Sequence, residues 1–192
     1  MASEAEETEA PAKTSELSAE EQHRRDEARA HVRQLGDPVL RTRGLPVSRF
    51  DGELRRQVDW MRDVMDGALG VGLAATQVGI VERILVYRIE QDSPIVAVIN
   101  PQIEWRGEQI DTEEEGCLSI PGVQVDVERN VHVRVGAVDE TGSPFTIEAS
   151  GLEARVLQHE IDHLDGVLML DRTTREQKRD AMRSWRERHQ GE

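Results

Sequence analysis

Two histidines separated by three residues are the first feature of this chain that can do chemistry. His159 and His163 flank Glu160 in the stretch Gln-His-Glu-Ile-Asp-His at residues 158–163. On a helix, the two imidazoles lie one turn apart on the same face and can hold one metal ion. Glu160 then projects beside the metal, where its carboxylate can accept a proton from a bound water. The pattern predicts a metal site with a general base, and such a site needs a third protein ligand.

A chance match and a pair of buried structural histidines are the alternatives to a metal site. The second alternative leaves Glu160 as a charge on the same partly buried helix without a role. We therefore favour metal binding.

Residues downstream of the histidines are poor candidates for the third ligand. Metzincin-type metalloproteases extend the motif with a glycine and a third histidine, and this chain has Gly166 but then Met169 at the histidine position. Glu176 and Glu187 are the candidates for a thermolysin-like carboxylate ligand, but both lie in a highly charged segment typical of a solvated helix. A metallopeptidase is therefore the weaker alternative.

Upstream of the motif, Cys117 is the best candidate for the third ligand. It is the only cysteine in the chain. His132 lies on a predicted strand whose valines define the buried face, so we expect it to face solvent. His23 and His31 lie near a polar N-terminal segment. A lone cysteine is usually a small buried hydrophobe, but the missing ligand favours metal binding here.

Composition limits the class of protein. The 192 residues suit one domain with a sizeable core, and the net charge of −14 argues against nucleic acid as a partner of the whole protein. One cysteine cannot form an internal disulfide, and no apolar run is long enough to span a bilayer. The acidic start is unlike a signal peptide. We expect a cytoplasmic protein with no DNA or membrane partner.

The two ends of the chain carry opposite charge. Residues 1–22 contain seven acidic residues and one basic residue, a net charge of −6, with almost no large apolar residue. Such a segment cannot bury enough surface to become ordered, so we predict a disordered acidic tail. Residues 172–189 contain seven basic and three acidic residues, a net charge of +4. We expect a catalytic domain at residues 23–172 and a basic C-terminal helix and tail at residues 173–192.

Hydrophobic spacing predicts four helices. A short one is expected at residues 23–32. Asp51 is a plausible N-cap for a second, whose apolar residues recur at helical spacing until Gly70 ends it. A third helix at residues 152–165 carries the histidines, and because it is apolar on two faces we expect it to be central and buried. An amphipathic segment covers residues 174–189.

Short apolar runs predict strands between these helices. Turn residues join them in pairs, which favours antiparallel hairpins. The predicted strands cover residues 84–89, 95–99, 131–138 and 145–149. Helices that flank short antiparallel strands indicate an α+β fold.

Three segments together resemble the peptide deformylase family, in the same order and at similar spacing. They are residues 70–77 (Gly-Val-Gly-Leu-Ala-Ala-Thr-Gln), 115–119 (Glu-Gly-Cys-Leu-Ser) and 158–166 (Gln-His-Glu-Ile-Asp-His-Leu-Asp-Gly). The resemblance covers about residues 33–172. It implies a metal-dependent hydrolase that removes the formyl group from the N-terminal formyl-methionine of newly synthesised proteins and releases formate.

The resemblance also implies the roles of individual residues. The metal ligands are Cys117, His159 and His163, with Fe(2+) as the usual metal and Zn(2+), Ni(2+) or Co(2+) as possible occupants. Glu160 activates the water. The side-chain amide of Gln77 and the backbone N–H of Leu118 hold the oxyanion.

Substrate contacts follow from the same resemblance. Val71 and Gly72 are expected to pair with the substrate backbone like an added strand, and an apolar pocket is expected to hold the methionine side chain. The predicted substrate-binding residues are Val71, Gly72, Glu115, Gly116, Leu152 and Val156. Many relatives carry an arginine a few residues beyond the cysteine motif. Gln124 stands there in this chain, and Arg129 is the candidate to compensate.

Ribosome binding is a further expectation, because some family members dock on the ribosome through a basic C-terminal helix. The alternative is a solvated helix anchored by Met182 and Trp185. A non-catalytic ribosome-binding module with a structural metal is the third functional class. A closed structural site needs a fourth protein ligand, and the chain offers no second cysteine or well-placed histidine. The residues therefore favour an enzyme.

Overall fold

The computed structural model describes residues 18–189, which contain four helices and seven strands. The helices are α1 (Ala19–Ala30), α2 (Gly52–Gly67), α3 (Leu152–Leu164) and α4 (Arg175–His189). The strands are β1 (Gly72–Ala74), β2 (Ile84–Tyr87), β3 (Val96–Arg106), β4 (Ile110–Gly116), β5 (Gln124–Asn130), β6 (His132–Val138) and β7 (Pro144–Ser150). Short 3₁₀ turns lie at Pro38–Arg41, Ala75–Val78 and Met169–Asp171.

The strands form two antiparallel sheets. The larger sheet has the order β1-β2-β3-β6-β7, and β4 pairs with β5 in a separate two-stranded sheet. The two predicted hairpins are present, with Leu85 opposite Val98 in one and Val135 opposite Ile147 in the other. Together with the helices, these sheets confirm the predicted α+β class.

Three strands were missed by the sequence prediction. Strand β1 has only three residues, all buried, so it shows no alternation. Strand β4 exposes almost all of its side chains, many of them acidic, and therefore has no apolar face. Strand β5 does alternate, but its buried positions are Val125, Val127 and Arg129. A buried arginine breaks the hydrophobic pattern on which strand prediction depends.

Helix α2 begins as predicted but ends differently. The side chain of Asp51 accepts hydrogen bonds from two backbone N–H groups of the first turn. At the other end, the helix stops at Gly67, and exposed Leu69 takes the left-handed conformation with φ 58°. Gly70 follows this turn and donates its N–H to the Met65 carbonyl at 2.9 Å. The prediction that Gly70 ends the helix is therefore wrong. The left-handed residue at this helix end is Leu69, and its conformation costs about 1 kcal/mol.

Helix α3 is buried over most of its surface. It packs against β1, β2 and β7 of the larger sheet and against β5 of the smaller one. Leu157, Ile161 and Leu164 join the strands in one hydrophobic cluster. Gly151, with φ 55°, lets the chain turn from β7 into this helix. Because α3 contacts both sheets, its histidines lie inside the domain.

Helix α1 begins at Ala19 rather than near residue 23. Ser18 and Glu21 form a capping box, with each side chain accepting the other residue's backbone N–H. The prediction of disorder is therefore wrong for residues 18–22, and residues 1–17 of the predicted tail lie outside the described part. Ala28 packs so closely on α2 that a Cβ at Gly67 would lie 2.9 Å from the Ala28 Cβ.

Helix α4 matches the predicted C-terminal segment. Ala181 is buried, and Met182 and Trp185 pack against the hydrophobic cluster that contains Ile120 and Leu168. Its arginines face outward. None of the helices within residues 18–189 is both long enough and apolar enough to cross a membrane.

Candidate metal centre and active site

Cys117, His159 and His163 come together in the structure. The Cys117 Sγ lies 3.2 Å from His163 Nε2, which in turn lies 3.2 Å from His159 Nε2. Helix α3 supplies both histidines one turn apart, and the turn after β4 supplies the cysteine. One ligand atom from each residue lies within 4.8 Å of the other two. The folded chain therefore gathers a sulfur and two nitrogen donors around one point.

This donor set fits a metal ion. Ligand–metal distances of about 2.0–2.3 Å in a tetrahedral site place the ligand atoms roughly 3.4 Å apart, close to the observed separations. Burial lowers the pKa of His163 well below its usual range, so this imidazole is neutral, the form that binds metal. Three protein ligands leave a fourth position for water or substrate, the arrangement of a catalytic site.

Glu115 holds His159 from behind. Its Oε2 lies 2.9 Å from His159 Nδ1, and its oxygens also pair with Arg129 at 2.9 Å and Arg155 at 3.0 Å. Burial acts to raise the pKa of Glu115, but hydrogen bonds from His159 and Arg129 outweigh it and lower the pKa to about 2. The ionised carboxylate therefore orients the His159 ring so that Nε2 faces the other ligands.

Asp162 extends this buried network on the same helix. It pairs with Arg129 and, through its other oxygen, with Arg172 at 2.6 Å. Sequence reasoning assigned no role to Asp162, Arg155 or Arg172. The available signal was a helix predicted to be buried that nonetheless contains charged residues, since buried charges need partners.

Glu160 has the opposite surroundings. Its side chain is buried, and Oε2 has no hydrogen-bond partner within residues 18–189. Burial raises the pKa of Glu160 to about 7, although the charge of His159 acts to lower it. Gly72 leaves room for the carboxylate, since a Cβ there would lie 2.5 Å from Glu160 Oε1. A carboxyl group that titrates near neutral pH beside the metal ligands suits a general base.

The Gln77 side chain is held with its N–H groups toward the cluster. Its Oε1 accepts the Ala74 backbone N–H at 2.9 Å. Its Nε2 then points to Cys117 Sγ at 3.6 Å and Ser119 Oγ at 3.3 Å. The 3₁₀ turn at Ala75–Val78 places this buried amide next to the ligands. Gln77 therefore presents a donor that does not titrate.

One cavity of about 600 Å³ joins the metal ligands to the predicted substrate residues. Its wall contains Val71, Gly72, Gln77, Glu115, Gly116, Cys117, Leu118, Leu152, Val156, His159 and Glu160. Val71 and Leu152 are half exposed and give the cavity apolar surface. The Glu115 carboxylate, in contrast, is already bonded to His159 and two arginines. We therefore assign it the role of supporting His159 rather than of contacting the substrate.

The rejected ligand candidates lie away from the cluster. His132 is exposed on β6, where its Nδ1 lies 2.8 Å from Ser150 Oγ. Met169 is buried in a hydrophobic cluster. Glu176 and Glu187 are exposed on α4.

The cations near the cavity differ from those expected. Gln124 lines the cavity, but Arg129 is buried and bonded to Glu115 and Asp162. Arg129, the candidate to compensate for the missing arginine, instead balances charges behind the metal ligands. Arg25 and Arg29 of α1 line the cavity instead. Sequence reasoning missed them because nothing local predicts where α1 packs; their spacing of four residues was the only signal.

Comparisons with known proteins agree with this geometry. The family model for polypeptide deformylase matches residues 29–179. A peptide deformylase from a Parafrankia strain is 48% identical over 156 residues, which cover 81% of this chain and 85% of the relative. A peptide deformylase from a Picosynechococcus strain is 43% identical over 159 residues, with the same shares of the two chains.

Solved structures give the same result. A peptide deformylase from Synechococcus elongatus, crystallised with actinonin, is similar with a TM-score of 0.77 and 44% identity, covering 80% of this chain and 85% of that one. A peptide deformylase from Legionella pneumophila has a TM-score of 0.79 and 38% identity, covering 83% and 94%. The sequence match, the fold and the ligand cluster lead to one conclusion: the chain belongs to the peptide deformylase family.

Proposed function

We propose that this peptide deformylase hydrolyses the formyl group of N-terminal formyl-methionine at a metal held by Cys117, His159 and His163. The observation that carries the proposal is the position of Glu160, a buried carboxyl group beside those three ligands in a cavity open to a peptide, with one oxygen that has no hydrogen-bond partner within residues 18–189. The products are formate and a peptide with a free amino terminus.

Iron(II) is the metal we propose, on the resemblance to the family; zinc, nickel and cobalt suit the same sulfur and nitrogen donors. When bound, the metal lowers the pKa of a water and polarises a carbonyl group. The chain holds the three ligand atoms around one point. Glu115 contributes the orientation of His159.

Glu160 moves the protons in the proposed mechanism. Its carboxylate accepts a proton from the water that attacks the formyl carbon, and the resulting acid then donates this proton to the leaving amine. A pKa of about 7, raised by burial, suits a group that must both accept and release a proton near neutral pH.

Gln77 and Leu118 stabilise the charge that develops on the formyl oxygen. The Gln77 amide is fixed with its donor side toward Cys117. Leu118 follows Cys117 directly, and its backbone N–H has no acceptor within residues 18–189. Two fixed donors that need not reorganise during the reaction stabilise an oxyanion far better than water does.

The substrate contacts come from two sides of the cavity. Val71 and Gly72 offer the edge along which an extended peptide can pair. Leu152 and Val156, one turn apart on α3, offer apolar surface for the methionine side chain. Because Gly72 has no side chain, the peptide can approach Glu160 closely.

Ribosome docking through α4 stays a prediction. Arg179, Arg183 and Arg186 are exposed, while Met182 and Trp185 pack against the domain. The charged surface is therefore available to a polyanion. Cosedimentation with ribosomes that weakens with salt, and that is lost when these three arginines become glutamine, would support docking. Cosedimentation that the substitutions leave unchanged would reject it.

One assay tests the main proposal. The protein is purified without oxygen, loaded with iron(II), and incubated with a formyl-methionyl peptide while released formate is measured. We expect formate from the parent and a loss of roughly 10³-fold in Glu160→Gln. Absence of formate from metal-loaded parent protein would reject the proposed reaction. Cys117→Ser, assayed for metal content alone, should bind metal far more weakly.

A further inference from the structure

We propose that Arg25 and Arg29 form an anion-binding subsite that favours formylated peptides with an acidic side chain among their first few residues. The inference rests on the proposed function, since the occupant is the downstream part of the same substrate. The ligand group is a carboxylate, for which arginine is well suited.

The two arginines lie on one face of α1 and line the cavity that contains Cys117 and Glu160. Neither forms an ion pair with an acidic residue of the described chain, residues 18–189. Arg25 Nε is shielded from solvent and has no hydrogen-bond partner there. Glu21, one turn before Arg25, is bonded to Ser18 instead. A shielded N–H group without an acceptor is costly, and a ligand carboxylate would supply one.

Helix α1 holds these side chains in a defined position. Ala28 lies against Gly67 of α2 at close contact. His31 packs edge-on against Trp60 with ring centroids 5.5 Å apart, and Val32 belongs to the core cluster of α2 and the larger sheet. The arginines therefore stand on a packed element rather than on a loop.

Chain length bounds the distance between the arginines and the reaction centre. Gly72 lies on the cavity wall beside Glu160, and the backbone leads back from it through Val71 to Gly67, which packs against Ala28 between the two arginines. These five steps span at most roughly 17 Å of backbone. A peptide extended along this wall would bring a side chain to Arg25 and Arg29 within about its first five residues.

The test compares peptides that differ in one charge. Amidated formyl-methionyl peptides carry glutamate or glutamine at the second, third, fourth or fifth position, and kcat/KM is measured for each pair with the iron-loaded full chain. We expect the glutamate peptide to be preferred about fivefold at one position, with the preference shrinking in high salt. The preference should vanish in the double variant Arg25→Gln/Arg29→Gln.

Arg24→Gln is the matched control, because Arg24 lies on the same helix but lines a different cavity. It should keep the glutamate preference. A preference for a free C-terminal carboxylate over the amide, without one for glutamate, would assign the arginines to chain ends and overturn the acidic-residue proposal. Equal kcat/KM for every glutamate and glutamine pair, or a preference that survives in the double variant, would overturn it as well.

Binding of unformylated peptides separates this inference from the proposed reaction. Calorimetric titration of the same glutamate and glutamine peptides needs no turnover. Tighter binding of the glutamate peptide, lost in the double variant, would support the subsite even if no formate were released. Equal binding of both peptides would overturn it whatever the activity.

Discussion

Two buried glutamates flank the metal ligands, and their surroundings are opposite. Glu115 is bonded to His159, Arg129 and Arg155, and its pKa falls to about 2. Glu160 forms no ion pair within residues 18–189, and burial raises its pKa to about 7. The same side chain therefore suits a fixed charge at one position and, in the proposed mechanism, a proton carrier at the other. The partners decide the role, as expected when desolvation and ion pairing compete.

Removing the proton carrier should have the largest effect. Glu160→Gln keeps the shape of the side chain but cannot accept a proton, so we expect kcat to fall roughly 10³-fold. Metal content should stay unchanged, because Glu160 is not a ligand, and elemental analysis checks this. Activity within a few-fold of the parent would show that another group carries the proton.

Removing the fixed charge should affect folding and metal binding more than the chemical step. Glu115→Ala leaves Arg129 and Arg155 without their shared partner, and we expect a loss of about 3–5 kcal/mol in the free energy of unfolding. Freed from its carboxylate, His159 should also bind metal roughly 10–100-fold more weakly. Denaturant titration and metal competition measure the two effects. Unchanged stability would mean that the network contributes little.

The two glutamates should give stability opposite dependences on pH in the metal-free protein. Glu160 binds its proton more tightly when folded, so its contribution falls as pH rises from its ordinary value of 4.5 through about 7, by about 3 kcal/mol. Glu115 releases its proton more easily when folded, so its contribution is present above 4.5 and is lost as pH falls toward about 2.

Chemical denaturation of the metal-free parent and of Glu160→Gln from pH 4.5 to pH 8 checks the first of these dependences. The variant should gain stability relative to the parent as pH rises, because it lacks the group that ionises in the interior. A difference between the two proteins that stays constant across this range would contradict the raised pKa.

Crowding the Glu160 carboxylate should reduce activity less than removing it. Gly72→Ala places a Cβ 2.5 Å from Glu160 Oε1, and we expect kcat/KM to fall about 100-fold through the displaced base. Gly52→Ala, at the start of α2 and outside the cavity, is the control, since a Cβ there would meet no atom closer than 3.5 Å. Equal activity of both variants would show that the Glu160 carboxylate can move without cost.

The local sequence pattern was sufficient to predict several secondary-structure elements. Asp51 identified the start of α2 because an N-cap acts on the next three residues. The apolar stripe of Leu157, Ile161 and Leu164 identified α3 as buried. Local pattern failed for β4 and β5, whose exposed acids and buried Arg129 lack a hydrophobic period. It also failed at Leu69, which takes a left-handed conformation that its residue type disfavours.

The sequence by itself determined the chemistry that the chain can attempt. His159 and His163 must lie together on any helix, because the spacing of four residues is a property of the helix. Cys117 followed from the lack of another suitable ligand. Only the tertiary structure decided that Glu115 is bonded to cations, that Glu160 forms no ion pair within residues 18–189, and that Arg25 and Arg29 reach the cavity. These contacts join residues far apart in the chain, and their electrostatic effect depends on burial, which no local spacing encodes.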